Sequence, residues 1–146
     1  MTLTPAERTF VERNRVGRLA TVDETGRPHA VPICYALVDD FLVSPIDAKP
    51  KRVAASELAR VRNIEANPRV AVLVDRYVED WSRLAWVRID GAASVIDLTA
   101  ANHADAVGAL REKYAQYEHH PLAERPVIAI EIQRATSWGA LDDPTD

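Results

Sequence analysis

Arg18-Leu-Ala-Thr-Val-Asp23, Glu24-Thr-Gly-Arg27 and Pro28-His-Ala-Val-Pro-Ile-Cys-Tyr-Ala-Leu37 follow one another without a break. Two runs of strand length flank a four-residue turn, and Gly26 supplies the positive φ that such a turn needs. Pro32 lies inside the return run, so that strand belongs at a sheet edge or a bulge. Asp39-Asp40 turns the chain again, and Phe41 to Ser44 reads as a third strand. Three short strands joined by tight turns predict an antiparallel meander.

Working outward, Thr4-Pro5-Ala6-Glu7 is a capping box with proline at the first helical position. It predicts a helix from Pro5 to about Asn14, with Phe10 and Val11 buried. Pro50 to Ala66 is rich in Ala, Glu, Leu and Arg and predicts a second helix, with Leu58, Val61 and Ile64 as its apolar stripe. Asn67-Pro68 stops it. Val70 to Asp75 is a continuous apolar run, predicting a central strand covered on both faces. A polar connection from Arg76 to Arg83 leads to a long strand, Leu84 to Ile96, in which Gly91 marks a bulge or a close backbone approach. Thr99 is placed to cap a helix reaching about Tyr117, with Ala106, Val107, Leu110 and Tyr114 inward. Val127 to Ile132 is the last strand, with Ile128, Ile130 and Ile132 on one face.

The sum is mainly β: six or so mostly antiparallel strands with flanking helices, best packed as a small barrel with helices outside. At 146 residues, with 47% hydrophobic and 27% charged residues and no repeat or linker, the chain reads as one domain, 1–146. The single cysteine, Cys34, excludes an internal disulfide. No apolar leader and no membrane-length run is visible, so the expected location is the cytoplasm. Arginine far outnumbers lysine, which is present only at 49, 51 and 113. That bias fits a GC-rich bacterial genome.

The net charge is -4 and the pI about 5.6, which argues against nucleic acid as a partner. Against this background, the segment from Lys49 to Arg69 gathers Lys49, Lys51, Arg52, Arg60, Arg62 and Arg69 against only Glu57 and Glu65. Such a local excess of cations is either an anion site, a phosphorylated small molecule being the first candidate, or a solvated helix face. Arg60 and Arg62 lie about 200° apart on an ideal helix, so one ligand cannot engage both unless the helix ends early.

Arg15-Val-Gly-Arg-Leu-Ala-Thr-Val-Asp23, Gly26-Arg-Pro-His-Ala-Val-Pro32, Ser44-Pro-Ile-Asp47, Arg62-Asn63 and Asn67-Pro-Arg-Val70 together resemble the split β-barrel flavin and deazaflavin oxidoreductases, the pyridoxamine 5′-phosphate oxidase-like proteins among them. Asp75-x-Tyr77-x-Glu79-Asp80-Trp81, with Trp86-Val-Arg88 and Gly91, is similar to the actinobacterial branch that uses coenzyme F-420. The resemblance covers residues 10 to 97 well and the rest loosely. It implies an antiparallel split barrel that forms a homodimer, with two cofactor sites at the interface. It also implies an oxidoreductase transferring hydride between F-420 and a small organic substrate, with FMN as the alternative cofactor. A non-catalytic flavin- or haem-binding relative stays open as a different class.

Carried over by position, the resemblance implies Lys49, Lys51, Arg52, Arg60, Arg62 and Asn63 around the cofactor phosphate. It implies Val31, Pro32, Ile33 and Cys34, and the segment from Ser44 to Asp47, along the ring, through backbone groups, and Trp81 near the interface. No catalytic side chain is implied, because the hard chemistry belongs to the cofactor. No Gly-x-Ser-x-Gly elbow, P-loop or Gly-x-Gly-x-x-Gly is present. The histidines at 29, 103, 119 and 120 lack metal-ligand spacing, so no metal is expected. Arg88 faces opposite to Val87 and Ile89 on its strand, toward either the site or water.

Overall fold

Thr4 opens the first helix as the sequence requires. Its hydroxyl accepts from the Glu7 N–H (3.1 Å), and the Glu7 carboxylate accepts from the Thr4 N–H (2.9 Å). This is seen in a computed structural model that describes residues 3–46 and 58–143. Helix α1 spans Pro5–Arg13, with Phe10 and Val11 buried. Seven strands follow: β1 Gly17–Val22, β2 Pro28–Ile33, β3 Ala36–Val38, β4 Phe41–Pro45, β5 Arg69–Arg76, β6 Ala85–Ile96 and β7 Val127–Gly139. Helix α2 (Ala59–Ala66) lies between β4 and β5, and α3 (His103–Lys113) between β6 and β7.

All seven strands form one antiparallel sheet in the order β2-β1-β5-β6-β7-β4-β3. The expected meander is therefore corrected. The run from Pro28 to Leu37 is two strands, and they lie at opposite ends of the sheet order. Only Cys34 and Tyr35 separate them in the chain. A sheet whose two edges are joined by two residues must curl until those edges meet. That is a split barrel, its seam at Cys34-Tyr35. Tyr35 is the reason for the break. It is fully buried, with its hydroxyl 2.5 Å from the Val11 carbonyl and 3.0 Å from that of Asn14. Its N–H donates to the Tyr114 hydroxyl (3.1 Å). These partners are distant in sequence, so the apolar run shows no interruption.

Other expectations are adjusted in the same way. Leu58 has extended backbone and half-buries its side chain on the core, so α2 begins at Ala59. The rest of the expected helix, 50–57, lies outside the described residues. Strand β5 is central but covered on one face only. Val70, Val72 and Val74 are buried, whereas Leu73 is 38% exposed. Arg76 ends this strand, buried, instead of opening a polar connection. Thr99 does not cap α3, whose N-cap is Asn102. Strand β7 runs seven residues beyond Ile132, zipped onto β6 down to the Ala85–Gly139 pair.

The barrel interior is filled by Phe10 and Val11 of α1, Val61 and Ile64 of α2, and the inward residues of the strands, among them Leu19, Val72, Ile89 and Ile130. A second cluster seats α3 on β3, β4 and β7 through Ala106, Val107, Leu110 and Tyr114. Among the described residues, no helix is long and apolar enough to cross a membrane.

Gly91 sits at a register shift, where Asp90 pairs with Arg134 but Gly91 with Ile132. The extra residue is Gln133 on β7. A Cβ at 91 would collide with the Glu131 carbonyl and the Ile130 side chain. Gly91→Ala is therefore expected to cost about 2 kcal/mol through overpacking, read as a lowered midpoint in urea unfolding.

Candidate functional site

The seam of the barrel builds a cleft. Its wall comes from the end of β2 (Pro32, Ile33, then Cys34), the end of β4 (Ser44, Pro45), Val16, and Tyr117 beyond α3. Arg60, in the first turn of α2, completes it. The volume is about 180 Å³. Strand β2 is an edge strand, so half its backbone groups face away from the ladder and remain open to a ligand. Ser44 is buried, and its hydroxyl donates to the Cys34 carbonyl (2.8 Å), which ties the two sides of the seam together. Tyr117 stacks edge-on against Tyr114, with centroids 5.5 Å apart. Among the described residues, no carboxylate lines this cleft.

Six of the expected residues thus meet: Pro32, Ile33, Cys34, Ser44, Pro45 and Arg60. Ile46 is buried in the core instead, and Asp47 lies outside the described residues. Val31 does not join them, because it pairs with Leu19 and packs against the core. Arg62 and Asn63 face a different, larger cleft of about 630 Å³ between the β1–β2 turn and α2. The 200° offset between Arg60 and Arg62 is what separates them. Asn63 is buried and donates to the Thr21 hydroxyl (2.9 Å), pinning α2 to β1. Asp23, Glu24 and Glu65 line that second cleft beside Arg27 and Arg62, so its charge is mixed. Asp23 is engaged in the turn itself. Hydrogen bonds from the Thr25 hydroxyl, and then from the Arg27 and Thr25 backbone N–H groups, hold its carboxyl below the usual range.

Trp81 is 68% exposed, and its indole N–H donates to the Tyr77 hydroxyl (3.1 Å), itself exposed. Lys49, Lys51 and Arg52 lie outside the described residues. Arg88 points outward from the sheet beside Asp90 (3.5 Å), and Arg134 approaches the same carboxylate (3.4 Å).

Sequence reasoning missed Val16 and Tyr117 as lining residues. Tyr117 left one trace: it lies three positions beyond Tyr114, the spacing of neighbours on a helix face. It missed entirely the group behind Cys34. There the Lys113 ammonium sits 3.7 Å over the Tyr35 ring, and the Arg15 guanidinium 4.8 Å from the Tyr114 ring centre. Burial, and then the Arg15 charge, push the Lys113 ammonium down to about 8. Burial raises the Tyr35 and Tyr114 phenols above their usual range.

The sequence model of pyridoxamine 5′-phosphate oxidase matches residues 3–139. Among curated proteins none matches this chain. Several solved structures share the fold. A conserved hypothetical protein from Mycobacterium tuberculosis superposes with a TM-score of 0.75 at 22% identity, covering 95% of this chain and 86% of the other. A heme binding protein from Mycobacterium smegmatis gives 0.74 at 22% identity, covering 98% of this chain. This chain spans 57% of that protein's length. A FAD-binding protein from Mesorhizobium loti gives 0.68 at 25% identity, covering 94% and 93%.

Proposed function

This chain belongs to the pyridoxamine 5′-phosphate oxidase family, and from that premise we propose that it is an oxidoreductase holding a phosphorylated deazaflavin, coenzyme F-420, in the seam cleft. The observation that carries the proposal is the meeting of Arg60 with the edge-strand backbone of Pro32 and Ile33 in a cleft that no carboxylate lines among the described residues. The donor set fits the group. A guanidinium can bond two phosphate oxygens at once, and an edge strand offers main-chain donors and acceptors to a planar heterocycle. When bound, the cofactor supplies hydride transfer to or from a small organic molecule. Arg60 would bind its phosphate, the β2 backbone would orient its ring, and Tyr117 and Pro45 would keep water from one side. FMN is the second reading, favoured by the FAD-binding relative. A haem reading rests on the heme binding relative. Cys34 or Tyr117 would hold the iron there, since among the described residues no histidine lines this cleft.

Titration of the purified chain with F-420, and separately with FMN, tests the proposal. Fluorescence anisotropy should rise to saturation at micromolar concentration for one of them. No binding of either at that concentration refutes the cofactor assignment.

A volume of about 180 Å³ is below the roughly 300–1,000 Å³ of ligand pockets in general. A cofactor site of this kind therefore needs a second surface, and we propose a second copy of the chain. The outer sheet face carries the contact. Leu73, Tyr77, Trp81 and Trp138 are all exposed there or at its rim, a concentration of apolar area unusual for a free surface. Beside them, Arg18–Asp75 (2.8 Å) and the Arg88–Asp90–Arg134 group leave few lone charges to desolvate. Leu73→Arg, next to Arg18 and Arg88 on the neighbouring strands, is expected to convert a dimer into a monomer in sedimentation equilibrium. A wild-type chain that is already monomeric at tens of micromolar would contradict this assembly.

A further inference from the structure

Two cations behind Cys34, Arg15 and Lys113, are not among the residues that line the cleft. Arg15 and Lys113 crowd one aromatic ring, at 4.8 and 5.4 Å from the Tyr114 centroid. Arg15 is fixed there by donating to the Lys113 carbonyl (2.7 Å). The Lys113 Nζ is closed off from solvent and finds no hydrogen-bond partner among the described residues. The groups facing it are Tyr35 and Tyr114, the Cys34 thiol, Arg15 and the Glu12 carboxylate. Of these only Glu12 is an acid, and it already pairs with Arg8 (3.2 Å).

Two like charges on one ring, one of them buried, are costly to hold. Contact with an aromatic face recovers about 0.5–2 kcal/mol and leaves the ammonium's three donors unmet. An oxyanion would meet those donors and cancel the repulsion. The cluster also adjoins the cleft. Cys34 bears on both Lys113 and Tyr114, and Cys34, Val16 and Tyr117 all line the cleft wall. Access asks only that Nζ leave the Tyr35 ring, which is a rotamer change of a long, flexible side chain.

We propose that Arg15 and Lys113 form a second oxyanion subsite at the Cys34–Tyr117 wall, which takes a carboxylate or phosphate group of the organic substrate. The assignment to substrate rests on the cofactor occupying Arg60. The substrate class is therefore anionic, and its charged end sits apart from the cofactor phosphate.

The chain has only three lysines. Lysine-selective ¹³C labelling therefore gives three side-chain signals, and Lys113→Met identifies the one that matters. Inorganic phosphate, compared with chloride at matched ionic strength, is expected to raise the Lys113 titration midpoint. A rise of roughly half a unit corresponds to a threefold preference of the anion for the charged form. Arg15→Gln should remove most of that rise. A midpoint unmoved by phosphate overturns the subsite.

A second arm repeats the titration in saturating FMN. A persistent phosphate response places the subsite apart from the cofactor phosphate. If FMN alone raises the midpoint and abolishes the response, the cofactor's own phosphate sits there and the substrate assignment fails. If FMN does not bind, F-420 takes its place in this arm; if neither binds, it is the cofactor reading that fails, and the phosphate arm still decides the subsite.

Stability supplies an independent readout. The folded midpoint near 8 lies below the usual 10.5, so the unfolded chain binds more protons between these pH values. Stability contributed through Lys113 therefore rises as pH goes from 8 to 10.5. That slope should vanish in Lys113→Met, which is also expected to melt higher than wild type at pH 7. A Lys113→Met chain with an unchanged slope would show Lys113 to be an ordinary solvated lysine and overturn the proposal.

Discussion

Arg60→Ala is expected to weaken cofactor binding by roughly 10- to 100-fold, the loss of about 1.5–3 kcal/mol that hydrogen bonds to a charged group contribute. Arg60 is the one described cation of the basic segment that lines the seam cleft. Arg62, two residues on, lines the cleft on the other flank of α2, so Arg62→Ala should leave the affinity within about twofold. The contrast between two neighbouring arginines on one short helix separates a positioned phosphate grip from a general attraction of positive charge. A general attraction would weaken equally in both variants, and would fade as salt rises past the point where the Debye length is roughly 8 Å. The measurement is a fluorescence titration of F-420 or FMN into each variant at 0.15 M salt.

Arg76→Met is expected to lower the melting temperature by roughly 10 °C, corresponding to about 3 kcal/mol in a chain of this size. Arg76 is 8% exposed. Its guanidinium donates to three main-chain carbonyls, those of Arg83 (2.9 Å), Ala140 (2.5 Å) and Asp143 (3.3 Å), and lies 5.4 Å from the Phe10 ring centre. One side chain thereby ties the end of β5 to the start of β6, to the segment after β7 and to α1. Methionine keeps much of the volume but leaves those carbonyls without their donor, and buried acceptors without partners are costly. Calorimetry of the variant reads the loss directly. A melting temperature within about 2 °C of wild type would mean that water replaces the guanidinium without penalty. Cofactor affinity should be little changed at a temperature where the variant is folded, because Arg76 lies away from the seam.

What was legible in the sequence was what is local. The Thr4–Glu7 capping box and the Gly26 turn each rest on residues within a few positions of one another, and each is present; Gly91 was legible because a glycine inside a strand is itself the signal, although the residues that crowd it lie on β7. The edge position of Pro32 is also present, because a proline without an N–H leaves few other places. The break at Cys34-Tyr35 was not legible. Its cause lies in partners 24 and 79 residues away, Val11 and Tyr114. The extension of β7 was hidden for a related reason: Gln133 to Gly139 has no alternation of its own and is held as strand by the length of β6.

At the site, the resemblance brought Pro32, Ile33, Cys34, Ser44, Pro45 and Arg60 forward, and the geometry places them together. Helical periodicity alone had already divided Arg60 from Arg62. The Lys113–Arg15 group gave no signal in the sequence, because two cations 98 positions apart reveal nothing until Tyr35 and Tyr114 bring them to one ring.

The central claim is that the seam of the barrel is where a redox cofactor's phosphate is held. A crystal structure of the chain soaked with F-420, and with FMN, tests it most directly. The account predicts a phosphate within hydrogen-bond distance of the Arg60 guanidinium, with the ring along the Pro32–Cys34 backbone. A phosphate bound instead beside Arg62 and Arg27, or a cofactor lying nowhere near the Cys34-Tyr35 crossing, would contradict it.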